Sequence, residues 1–187
     1  MDKISIGSKP LLYPLPAVLV GSNVNGKPNY MTVAWSSIVN MAPPMVSVSI
    51  GHSRHTLKGI EENNTFSVNI PSTKQIAETD YCGIVTGAGD DKSALFESFY
   101  GKLKTAPMIK DCPMNMECKV NRTIDLGSHV LVIGEIIDIL VDLDCTHNGI
   151  PDITKIDPMI FSFPQNDYFQ VGKHIGKAFA AGKSIKK

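Results

Sequence analysis

Apolar and polar positions alternate with a period of two along much of this chain. Residues 45–50 set Val46, Val48 and Ile50 on one side and Ser47 and Ser49 on the other, and Thr65–Ile70 repeats the pattern. Such alternation predicts half-buried strands. Residues 17–22 form a short apolar run that closes near Asn25-Gly26, a hairpin-turn pair. Residues 31–39, rich in Thr, Val, Ile and Trp, predict another strand, broken by Pro43-Pro44. The second half holds two long strands, 116–126 and 129–141, with Asp125-Leu126-Gly127-Ser128 as the hairpin turn between them, and a further strand over 159–163.

Helical signals are short. Ser53 is a candidate N-cap, Leu57 and Ile60 lie three apart on one face, and the helix should end near Asn63-Asn64. Ser72-Thr73-Lys74-Gln75 has capping-box spacing and opens a second helix. Residues 82–92 contain Gly83, Gly87 and Gly89 and read as loop, with room for a brief helix after Lys92. Closely spaced strands with short helices predict a mainly β fold, a closed or partly closed barrel. A doubly wound sheet needs longer helices between its strands. Neither a G-x-G-x-x-G after a strand nor a G-x4-G-K-[ST] occurs, which disfavours a Rossmann nucleotide site and a P-loop.

Composition narrows the classes. With 187 residues the chain predicts a single domain, with a core over 10–165 and a Lys/Gly/Ala-rich C-terminal tail over 172–187. The 18 basic residues balance 18 acidic ones, so no global field favours nucleic acid. Residues 29–53 carry no Lys, Arg, Asp or Glu, but Pro43-Pro44 and many polar residues prevent one membrane-spanning helix. Pro14 and Pro16 interrupt the one stretch that could serve as an export signal, so no membrane association and a cytoplasmic location are expected. Cys82, Cys112, Cys118 and Cys145 form no C-x2-C pair, so free thiols are expected and no metal.

Four segments carry candidate chemistry. Ser53-Arg54-His55-Thr56 would place a guanidinium and two hydroxyls at a helix N-terminus, a receptor for a phosphate monoester or a plain cap. Asn29-Tyr30-Met31-Thr32-Val33-Ala34-Trp35 holds the single tryptophan among small polar neighbours, either in the core or as the wall for a planar heterocycle. The glycine-rich run from Asp80 to Lys92 could approach a ring or phosphate closely, or be a surface loop. His129 stands at the head of an apolar strand, in a structural or a catalytic role. Cys82, next to this constellation, is either a packed or a redox-active thiol.

The order of these segments is more specific than any one of them. Pro14-x-Pro16, Asn29-x-Met31-Thr32-x-Ala34-Trp35, Pro43-Pro44, Ser53-Arg54-His55-Thr56, Phe66-x-Val68-Asn69-Ile70, Asp80-Tyr81-Cys82-Gly83, Thr86-Gly87-x-x-x-Asp91-Lys92 and Gly127-Ser128-His129-x-x-x-x-Gly134 follow one another over residues 10–165. Together they resemble the flavin reductase-like family, and within it the flavoredoxin branch. The resemblance implies a split β-barrel that binds FMN, sometimes FAD, noncovalently, as a homodimer with the flavin near the subunit interface. It implies that Asn29, Met31, Thr32, Ala34 and Trp35 line the ring. Ser53, Arg54, His55 and Thr56 would form the phosphate turn, with Arg54 and Thr56 as its principal contacts, and Cys82 would lie beside it. Lys92 would approach the phosphate or ring. His129 would serve as the catalytic residue near flavin and acceptor. Two positions depart from the family pattern: Ser128 stands where many members have Asp, and Thr86 where Ser is usual. The first weakens the implication of efficient NAD(P)H turnover.

Three functions are therefore in competition. The first is an FMN-dependent oxidoreductase that takes electrons from NAD(P)H and reduces a flavin, a ferric chelate or a protein acceptor. The second is an electron carrier between a redox protein donor and a protein acceptor. The third is a barrel for another ligand such as haem.

Overall fold

A computed structural model describes residues 2–185. Its main sheet has seven strands, labelled here β1 (Val18–Val24), β2 (Lys27–Val33), β3 (Ser36–Met41), β4 (Pro44–Gly51), β5 (Thr65–Ile70), β6 (Met114–Asp125) and β7 (His129–Val141). They lie in the order β2-β1-β5-β6-β7-β4-β3, every neighbouring pair antiparallel. Strands β2 and β3 are consecutive in the chain yet occupy opposite edges of the sheet. Only Ala34 and Trp35 separate them, and three peptide steps reach at most about 11 Å. The sheet must therefore curl until its edges approach, which makes it a split barrel rather than an open sheet. The expected single strand over 31–39 is corrected accordingly: it breaks at Ala34-Trp35, where the chain changes edge.

Two apolar clusters cover the two faces of the sheet. Val18, Val20, Val46, Val48, Ile50, Phe66 and Val132 fill the barrel, and Leu57 and Ile60 of helix α1 (His55–Asn63) join them. Leu19, Tyr30, Cys82, Phe96, Ile109 and Cys112 pack outside it. The expectation of half-buried strands therefore fails for β5, which is buried on both faces apart from its last residue. Its polar side chains are bonded within the protein, the Thr65 hydroxyl to that of Thr105 at 2.6 Å. The Ser67 hydroxyl donates to the Pro107 carbonyl, and the Asn69 amide donates to the Leu19 carbonyl at 3.0 Å and accepts from Ile109 N–H at 3.0 Å. A buried polar group is tolerated when it is bonded in this way. At Gly134 the Phe66 ring occupies the place that a Cβ would need.

The helices begin and end near the expected places, with three corrections. Arg54, not Ser53, occupies the N-cap of α1, in extended conformation and without a side-chain cap bond; the helix ends at Asn64 with φ 55°. The capping box at Ser72 and Gln75 opens a short 3-10 turn, and α2 (Ile76–Ile84) follows. Cys82 and Gly83 are thus helical, where loop was expected, and after Lys92 the chain makes turns but no helix. Leu15–Pro16, Met159–Ser162 and Asp167–Gln170 form a separate three-stranded sheet. Beyond it the chain is exposed; residues 186 and 187 of the expected tail lie outside the described residues. Among the described residues, no helix is long and apolar enough to cross a membrane.

Candidate functional site

The turn from β4 into α1 is built by sequence-local rules. Arg54 N–H donates to the Gly51 carbonyl at 3.0 Å, and Leu57 N–H returns to the Arg54 carbonyl at 3.1 Å. No side chain caps α1, and the positive end of the helix dipole lies at its start. The Arg54 guanidinium donates to the Gly83 carbonyl at 3.4 Å and remains exposed. Thr56 is buried and accepts a 2.7 Å hydrogen bond from the Asn29 side-chain amide of β2. That bond ties the barrel edge to the start of the helix.

Lys92 reaches the same place from the loop after α2. It is only 3% exposed, and its ammonium donates to the Val85 carbonyl at 3.1 Å. Burial, and after it Arg54, lowers its pKa, while Cys82 and Asp90 act in the opposite direction. Among the described residues, the ion pairs are Lys27–Asp91, His52–Asp125, Lys58–Glu62, Lys102–Asp138 and Lys110–Glu97. Arg54 and Lys92 belong to none of them. A buried ammonium beside a guanidinium, with no carboxylate bound to either, is a place where an anion is stabilised. Cys82 lies beneath, and burial pushes its thiol up to about 11, away from the thiolate that redox chemistry requires.

The barrel mouth supplies the other half. A cleft of about 190 Å³ runs between Thr32, Ala34, Trp35, Arg54 and His129 on one side and Phe161 and Phe163 on the other. The Trp35 and His129 rings lie 4.8 Å apart, tilted by 41°. Trp35 is held by its backbone, whose carbonyl accepts from Ser49 N–H at 2.9 Å, and its indole is 37% exposed. His129 pairs with Gly51 in the β7–β4 register, and its Nδ1 shares a 2.9 Å hydrogen bond with the Ser128 hydroxyl. Thr32 donates its hydroxyl to the Thr79 carbonyl and anchors α2 to β2.

A small cavity lined by Met31, Thr56, Cys82 and Thr86 shares Arg54 with this cleft, and shares His55, Gly87 and Lys92 with a polar cleft of about 430 Å³ that Asn29 also lines. Eleven of the twelve residues singled out from sequence thus line three neighbouring clefts that share lining residues: Asn29, Met31, Thr32, Ala34, Trp35, Arg54, His55, Thr56, Cys82, Lys92 and His129. Ser53 is exposed and lines none of these clefts. Sequence reasoning missed Gly87, Phe161 and Phe163. Gly87 packs so closely on the Asn29 amide oxygen that a Cβ would overlap it. Its place in a glycine-rich loop was the available signal. The two phenylalanines had none, being over a hundred residues from Trp35. Among the described residues, no cluster of His, Cys, Asp and Glu could hold a metal ion.

Comparison with known proteins agrees with this geometry. Residues 11–163 match the flavin reductase like domain. The flavoredoxin of Methanosarcina acetivorans superposes with a TM-score of 0.96 at 46% identity, over 98% of this chain and 99% of that one. The flavoredoxin of Desulfovibrio vulgaris (Miyazaki F) gives 0.91 at 37% identity, over 97% and 100%. An uncharacterised protein of Archaeoglobus fulgidus is 36% identical over 160 residues, 83% of this chain and 88% of its own. The chain belongs to the flavin reductase-like family.

Proposed function

We propose that this protein is a cytoplasmic FMN flavoprotein that moves electrons between redox partners. The observation that carries the reading is the convergence of Arg54 and the buried Lys92, bound to no carboxylate, at the uncapped start of α1. One phosphate monoester satisfies both cations and the helix amides. That suits FMN, whose chain ends in a single phosphate. The adjoining Trp35–His129 cleft supplies aromatic rings against which a planar heterocycle can stack. Bound flavin would supply hydride and single-electron chemistry.

The chain's own residues bind, orient and exclude water. Lys92 and Arg54 hold the phosphate charge, and Asn29 and Gly87 keep Thr56 in register with it. Met31, Thr32, Ala34 and Trp35 line the ring. His129 can hold a proton at Nε2, its Nδ1 being engaged by Ser128.

A homodimer accompanies this reading. Strand β3 is a sheet edge, and Ile38, Val39 and Met41 on it are exposed. An apolar edge of this kind calls for a partner. Ser128 bears on the donor. It gives His129 a neutral partner where many flavin reductases have a carboxylate, which favours a carrier fed by a redox protein over a reductase fed by NAD(P)H.

The test is the visible spectrum of the purified protein, followed by anaerobic addition of NADH and then NADPH. A stoichiometric flavin spectrum that neither nucleotide bleaches supports the carrier. Rapid bleaching by either one establishes a reductase, whose acceptor would be a flavin, a ferric chelate or a protein. A haem spectrum, or no bound chromophore, overturns the FMN assignment.

A further inference from the structure

Charge is divided along this chain. All 18 acidic residues lie at or before Asp167, while five of the 18 basic ones, Lys173, Lys177, Lys183, Lys186 and Lys187, come after it. Residues 172–187 therefore carry +5 and the rest −5, in a chain whose net charge is zero. The same tail exposes large apolar side chains: Ile175 is 95% and Phe179 97% accessible. Phe179 also sits at φ 60°, in the left-handed region. It lies in a turn closed by the Ala180 and Ala181 N–H groups, which donate to the Lys177 carbonyl at 3.3 and 3.0 Å, and its ring stays exposed there.

A groove of matching character lies on the body. Ala17, Ile70, Met114, Ile153, Ile156 and Met159 enclose about 300 Å³ of apolar space. Carboxylates crowd nearby. Asp142 N–H bonds to the carbonyl of Pro113, next to Met114, and Asp152 precedes Ile153 at the groove. Cys145 N–H donates to the Asp142 carbonyl and Asp152 N–H to the Cys145 carbonyl, both at 2.9 Å, which brings the segments of Asp142, Asp144 and Asp152 together. Burial, and then Asp144 and Asp111, raises the pKa of Asp142, so these carboxylates repel one another. Lys155 answers them in part, its ammonium being bonded to the Thr146 carbonyl at 2.9 Å.

We infer that this groove receives the C-terminal tail of a second copy of the chain, with Phe179 as the apolar anchor and the tail lysines facing Asp142, Asp144 and Asp152. The occupant is identified by its character: the tail joins exposed apolar side chains to lysines, and the groove is apolar with Asp142 and Asp152 beside it. It comes from a second copy because the tail stands exposed on its own body. Reciprocal exchange closes a two-fold dimer without leaving an open end. Met159 is two residues from Phe161, so a seated tail braces the strand that walls the Trp35–His129 cleft. The inference rests on the homodimer reading above.

Mixed disulfide trapping tests it. Ala178→Cys, which keeps the Phe179 anchor, and Ile153→Cys are made separately, each with Cys145→Ser, because Cys145 is partly exposed. Both substituted side chains are solvent-exposed, so folding should be retained. After mixing and mild oxidation, a covalent dimer is expected at a yield at least tenfold above that of either variant alone. A light-scattering mass of one chain overturns both the homodimer and the exchange. A dimeric mass without the mixed disulfide overturns the exchange and leaves the homodimer standing. A chain carrying both cysteines that links only within itself also overturns it. Ending the chain at Val171 provides an independent measure: the dimer dissociation constant should rise at least tenfold, and an unchanged constant overturns the exchange.

Discussion

The indole of Trp35 and the imidazole of His129 face each other at 4.8 Å, one ending the connection between the two sheet edges and the other opening β7. Neither ring is fully buried, and each forms part of the cleft wall. Replacing His129 by alanine removes a proton-holding group while leaving the Arg54 and Lys92 cations in place. Flavin content per chain should stay near that of the wild type. Reduction by whichever donor serves the wild type should slow by about 10²-fold, the usual scale for a positioned acid or base. Stopped-flow absorbance measures it, and unaltered kinetics would assign His129 to packing alone.

Arg54 and Lys92 should separate affinity from stability. Arg54→Ala is expected to weaken FMN binding by about 1–3 kcal/mol, the worth of a charge-assisted contact. Lys92→Met should weaken binding on the same scale while raising the apoprotein Tm by about 2–4 °C, because it removes a buried charge that lacks a counter-ion. The pH dependence has a definite sign. The folded pKa of Lys92 lies below its ordinary 10.5. Between those two values the unfolded chain binds more protons, so apoprotein stability rises with pH across that window. In Lys92→Met this rise should vanish. Calorimetry over alkaline pH reads it, and an identical slope in both proteins would remove Lys92 as its source.

Gly87 makes the site sensitive to a single methyl group. Gly87→Ala would push Asn29 off its bond to Thr56, at a cost of about 1–3 kcal/mol in stability and a parallel loss of flavin affinity. Gly89 is the control. A Cβ there would meet Thr86 at 3.8 Å, an ordinary contact, so Gly89→Ala should be neutral. Equal effects at both positions would point to general loop rigidity instead of the Asn29–Thr56 bond.

The four free thiols should differ sharply in reactivity. Cys82, Cys112 and Cys118 are buried, and only Cys145 is partly exposed. Burial pushes Cys82 up to about 11 and Cys112 up to about 12, so little thiolate exists at neutral pH. A disulfide-exchange reagent should label Cys145 alone in the native protein and all four in denaturant. Native labelling of Cys82 would reopen a redox role for that thiol.

The positions that local chemistry controls were legible in the sequence. β7 spans His129–Val141 as its alternation and turn signals require, and the capping box at Ser72 and Gln75 forms. Lys92, Arg54 and Trp35 could be named because each carries a side chain suited to phosphate or ring. Period-two alternation records which way a side chain points; it does not record what it meets there. That is why Ser67 and Asn69 read as solvent-facing, although the chain at Pro107 and Ile109 covers them. The tertiary structure alone decided that β2 and β3 lie at opposite edges, that Phe161 closes the cleft opposite Trp35, and that Gly87 must be bare beside Asn29. The first follows from the curl of the barrel, the other two from segments packed against it. Propensity and spacing act over a few residues, whereas the barrel's closure is set by packing of side chains far apart in the chain.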